Sequence, residues 1–94
     1  MNIVRIRYAE VIERINSNIP VYLFDDLEDA CVRIPSSDKE YVKFKGEEEF
    51  EAHKDSSIVF RAMMNGVTIS EADYKRYWFY NSISVPSGNR MIAG

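Results

Sequence analysis

The chain of 94 residues holds one cysteine, Cys31, and one histidine, His53, so thiol or imidazole chemistry rests on that pair. A cysteine nucleophile needs a base within hydrogen-bond reach and a third group to orient that base. Cys31 lies in the strand-like run ACVRI (30–34) and His53 near the end of GEEEFEAHK (46–54), with YVKFK (41–45) between them. That order sets the two side chains two strands apart, with Cys31 half-buried and His53 exposed opposite Tyr41. No serine stands in a G-x-S-x-G context, and Gly46, Gly66, Gly88 and Gly94 are too scattered to cradle a phosphate. The expectation is no catalytic residue and no cofactor. A small enzyme using Cys31 and His53 is the alternative.

Carboxylates offer the next chemistry. Asp25, Asp26, Glu28 and Asp29 crowd one turn, and Glu47 and Glu48 crowd another. A calcium loop alternates its oxygen ligands, bends at a glycine and closes with a distal glutamate. Here the acids are contiguous, Leu27 interrupts them and no glycine is present, so solvated turns are expected and no metal. Alternate loops of a meander lie at the same end, where these six acids would make one acidic rim. Such a rim suits a basic partner surface or mimics phosphate charge.

The densest binding chemistry is aromatic. Five of the twelve aromatic residues fall within Tyr74-Lys75-Arg76-Tyr77-Trp78-Phe79-Tyr80. At 100° per residue Tyr74, Tyr77 and Trp78 form one stripe, which reads as core, with Tyr80 beside Tyr77. Phe79 points between Lys75 and Arg76 on the polar side. Tyr, Trp and Arg are enriched at binding hot spots, so Arg76 to Tyr80 form a second candidate partner surface.

Arg33, Tyr41, Lys43 and Lys45 share a sheet face, as aromatic and basic residues do in single-strand binders. The expected register sets Glu49 opposite Lys45 and Glu51 opposite Lys43, cancelling those charges, and makes Arg33 and Tyr41 a cross-strand cation–π pair. Residues 57–80 loosely resemble a helix-turn-helix through Ala62, Gly66 and Ser70, but Asn65 and Lys75 fall where that motif wants apolar residues. A nucleic-acid-binding regulator using this segment is therefore the weaker alternative.

The elements that must carry these residues follow from periodicity. Tyr8, Val11, Ile12, Ile15 and Ile19 trace one helical stripe, ended by Asn16-Ser17-Asn18 and Pro20. Residues 2–7 fit either a strand or an extension of that helix. The runs 21–24, 30–34 and 41–45 alternate as strands, separated by polar turns of hairpin length. A fourth strand returns through the loop 46–48, pairing Phe44 with Phe50 and Val42 with Ala52. Asp55-Ser56-Ser57 offers caps for a helix closed by Gly66, and Ser70 caps a second helix reaching about Tyr80, with Ile69 stapled to Tyr74. The fold expected is α+β: an N-terminal helix, a three- to four-stranded antiparallel meander and two C-terminal helices. Residues 1–83 form one domain and 84–94 a flexible tail.

Composition bounds the function. The chain is 46% hydrophobic and 29% charged, as globular domains are, with a net charge of −3 that disfavours duplex DNA and anionic membranes. The charge is concentrated, because residues 21–60 carry eleven acids against five bases. One cysteine, no apolar leader and no membrane span point to a cytoplasmic protein. The reading is a non-enzymatic module that binds another protein through the aromatic helix and the acidic rim. Such a module is a regulator, adaptor or stoichiometric inhibitor, a class that includes host-directed proteins of phage or mobile elements. Homodimerisation through the same helix fits the sequence equally well.

Overall fold

Three runs between residues 21 and 44 alternate inward and outward side chains, and that alternation builds the centre of a sheet. The computed structural model describes residues 3–53 and 56–76. In chain order they form β1 (Val4–Arg5), α1 (Tyr8–Asn16), β2 (Val21–Asp25), β3 (Ala30–Ser36), β4 (Lys39–Phe44), β5 (Phe50–Glu51), α2 (Ser57–Asn65) and β6 (Val67–Thr68). A third helix, α3, covers 71–76. The sheet runs β1-β6-β2-β3-β4-β5 with every pairing antiparallel. The fold is α+β, and β2 to β5 are the expected meander.

The two faces of the sheet are covered differently. Val21, Leu23, Ala30, Val32, Ile34 and Val42 point to one face and are buried beneath Val11 and Ile15 of α1 and Val59 and Ala62 of α2. Full burial of an aliphatic side chain is worth about 1.5–3 kcal/mol, so this layer is the main source of stability. On the opposite face Cys31, Ile69 and Tyr74 form a second buried cluster, with Tyr22 and Phe24 packed at its margin. Thus α1 and α2 cover one face while the start of α3 covers the other.

Helix ends match their local chemistry. Ser56 caps α2 by accepting from the Val59 N–H at 3.4 Å, and Gly66 closes it in the left-handed region at φ +64°. At α1 the stop is a left-handed Asn18, whose N–H donates to Ile15 O while the Ile19 N–H donates to Arg14 O. That is a Schellman closure with asparagine in the glycine position. It ends the helical stripe early and leaves Ile19 half exposed, while Tyr8 at the first turn is also exposed. Ser70 caps α3 by accepting from the Asp73 N–H, and Ile69 joins Tyr74 in the second cluster.

Several expectations change. Residues 4–5 are a strand, and a further short strand after Gly66, β6, pairs with both β1 and β2. The returning strand β5 is only two residues long and is shifted by two positions. Val42 faces Phe50 and Tyr41 faces Glu51, so the loop spans 45–49. A shift of two keeps each side chain on its face, which preserves a stacked Phe44–Phe50 contact at 5.8 Å. The shift also removes His53 from its expected place opposite Tyr41 and Glu51 from opposite Lys43.

Candidate functional site

Two places on the described chain concentrate polar chemistry, and the sheet positions both. The first is the end where the β2–β3 and β4–β5 hairpins turn. The Lys45 N–H donates to Asp29 O at 3.2 Å and the Lys45 ammonium lies 3.7 Å from the Asp29 carboxylate, fastening the two tips side by side. Asp26, Glu28, Asp29, Glu47 and Glu48 are exposed there, and Leu27 stands 70% exposed among them. The expected acidic rim therefore forms, with one correction.

Asp25 does not belong to it. It is the inward residue of β2, fully buried, and the Arg61 Nε and Nη2 donate to its two oxygens at 3.0 and 2.8 Å. That fork holds the Asp25 carboxyl below its usual range, and Asp25 in turn accepts from the Glu28 N–H and shapes the turn. Arg61 comes from α2, 36 residues away, and had no signal in the sequence beyond being a charged residue in an apolar helix.

The second place is the other face of the sheet, beneath α3. Arg33 of β3 grips Glu49 through two hydrogen bonds of 2.9 and 2.8 Å, and the Tyr74 hydroxyl donates to the same carboxylate. The Arg33 guanidinium also stacks over Tyr41 at 4.2 Å, the cation–π pair the sequence suggested. Lys43, expected to face a glutamate, is instead buried and donates to Tyr74 O at 2.6 Å and Lys75 O at 3.2 Å. Arginine pairing pulls the Glu49 carboxyl down, and burial pulls the Lys43 ammonium down. Burial and the Glu49 contact raise the Tyr74 phenol, and burial raises Tyr22.

The catalytic alternative loses its geometry. Cys31 is wholly buried rather than half-buried, and burial pushes its thiol up to about 12. His53 is exposed and follows β5, beyond β4 from Cys31. The helix-turn-helix alternative also changes shape, because β6 separates α2 from α3 and the two helices pack on opposite faces. Of the aromatic candidates, Tyr74 is buried as core. Arg76 is largely exposed and bonded to Asp73, while Tyr77, Trp78, Phe79 and Tyr80, like the tail 84–94, lie outside the described residues. Among the described residues no three potential ligands converge on a metal position, and no helix is long and apolar enough to cross a membrane.

Comparison with protein families, with curated proteins and with solved structures finds no match to this chain.

Proposed function

We propose that this chain is a non-enzymatic binding module that docks a basic protein surface on the acidic end of its sheet. The observation that carries the reading is the pairing of the two hairpin tips through Lys45 and Asp29, which sets the turn holding Asp26, Glu28 and the exposed Leu27 beside the loop holding Glu47 and Glu48. Clustered like charge steers a complementary surface at long range, and an exposed apolar side chain in the same turn supplies contact area once docked. A polyanionic partner draws less support, because Arg33 is committed to Glu49 and Lys43 is buried against α3. Whether the module regulates, adapts or inhibits depends on the partner.

The experiment compares the wild-type chain with an Asp26→Lys, Glu47→Lys, Glu48→Lys variant. Proteins captured from the expressing cells by the wild type alone are purified and titrated against both forms. The expected result is affinity weaker by at least about tenfold in the variant and falling steeply with salt. A purified partner that binds both forms equally overturns the reading.

A further inference from the structure

The second face of the sheet and α3 border an open cleft of about 400 Å³, to which the sheet contributes Tyr22, Arg33 and Lys43, the 45–49 loop Glu49, and the helix Glu71, Tyr74 and Lys75. We infer that this cleft binds a small organic anion, a phosphate or carboxylate on a flat apolar body, with the Lys43 ammonium as its anchor. The inference is independent of the acidic rim.

The charge balance singles out Lys43. Glu49 is neutralised by the two-point grip of Arg33, and Glu71, also in the lining, pairs with Lys75 at 3.1 Å. Of the three basic residues that line the cleft, Arg33 and Lys75 are ion-paired and Lys43, only 7% exposed, is in no described ion pair. The cleft therefore carries a surplus positive charge within a chain whose net charge is −3. An ammonium has three donors, and two of them are used by the carbonyls of Tyr74 and Lys75. Burying a charge without an opposite one is costly, and an entering anion offsets that cost.

Shape sets the ligand class. The volume lies toward the small end of ligand sites, enough for a single ring with its acid group and too small for a dinucleotide. Tyr22 and Tyr74 meet at 5.4 Å with their planes tilted by 50°, giving the cleft an aromatic wall against which a flat body can pack. The Lys43 ammonium lies 4.7 Å from the centre of the Tyr74 ring, so charge and aromatic surface meet at one spot.

The test is an amide NMR titration of the whole chain with phenyl phosphate, benzoate, inorganic phosphate and phenol. Phenyl phosphate or benzoate should shift the Tyr22, Lys43 and Tyr74 signals saturably, with a dissociation constant of about 0.1–1 mM. The tighter of the two identifies the acid group. Phenol and inorganic phosphate should each bind at least about tenfold more weakly. A Lys43→Met chain should lose the same factor. In the wild type, which avoids any question of folding, the Lys43 side-chain pKa should rise when the ligand is saturating. Absence of saturable shifts with both organic anions overturns the assignment. So does inorganic phosphate or phenol binding as tightly, or a Lys43 pKa that the ligand leaves unmoved.

Discussion

Arg61 of α2 donates two hydrogen bonds to the fully buried carboxylate of Asp25, and this fork ties the second helix to the first hairpin of the meander. The partners are not equally exposed, since the Arg61 side chain retains 29% of its surface and Asp25 none. Removing Arg61 strands a buried charge, whereas removing Asp25 leaves a cation that reaches solvent and has Glu28 at 3.8 Å. Arg61→Met should therefore destabilise the chain clearly more than Asp25→Asn, measured by urea unfolding at neutral pH. Equal losses would show that the fork, not the stranded charge, sets the cost.

Acid should act through the same pair and through Glu49. Both carboxyls are held below their ordinary values by arginine hydrogen bonds, so the unfolded chain takes up their protons first as pH falls. Their contribution is full above about pH 4–5 and is lost as pH drops through the folded values. The Arg61→Met chain should show a changed slope below about pH 5, read by unfolding at a series of pH values.

Gly66 should tolerate no side chain. A Cβ there would stand 2.0 Å from the Ile6 carbonyl oxygen, and φ of +64° disfavours any other residue. Ile6 donates its N–H to Gly66 O at 2.8 Å, so backbone on both sides is fixed and cannot retreat. Gly66→Ala should destabilise by roughly 2–4 kcal/mol, with hydrogen exchange rising first at β1 and β6. Uniform exchange across the whole sheet would argue against this local anchoring.

What the sequence revealed follows from the range of each interaction. The Ser56 cap, the Gly66 stop and the Ser70 start depend on neighbours three or four residues away, and each was legible. The alternation in β2 to β4 was legible because burial repeats every second residue over whole strands. The strand β1 was legible only as one of two readings of residues 2–7, and β6 was not legible, since two residues carry no period and it is held by backbone pairing to distant segments. The shift in β5 has a related cause. Hydrophobic matching fixes only which face a side chain takes, and registers two residues apart satisfy it equally. In the observed register Glu49 reaches Arg33 and Tyr74, a choice made by residues 16 and 25 positions away. The acidic rim was legible as charge, but composition could not tell that Asp25 turns inward.

Tyr74 joins core and cleft, and its phenol should report both. Burial and its bond to Glu49 raise its pKa well above the ordinary phenol value, so it stays neutral where an exposed tyrosine ionises. Absorbance titration of the native chain should leave at least one of the six tyrosines unionised until alkaline unfolding. Tyr74→Phe should remove that silent fraction and cost about 1.5–3 kcal/mol, the range for hydrogen bonds to a charged group. A phenol at position 74 that titrates near pH 10 would remove the Glu49 contact from the structure.

Cys31 gives the last prediction, and it separates a buried structural thiol from a reactive one. The thiolate is the reactive form, and burial pushes the folded pKa up to about 12. At pH 8 the folded chain then holds a thiolate fraction on the order of a thousandfold lower than an ordinary cysteine. Closure of the sheet face by Ile69 and Tyr74 further excludes the reagent. Native protein should resist a thiol reagent such as Ellman's disulfide, then react fully in urea. Because the unfolded thiol ionises first, the contribution of Cys31 to stability is full below about pH 9 and declines as pH rises toward the folded value. Cys31→Ala should remove that part of the alkaline slope while lowering stability modestly at neutral pH. Rapid labelling of the native chain at pH 8 would instead mean that α3 leaves this face readily, and the cleft beneath it would open with the helix.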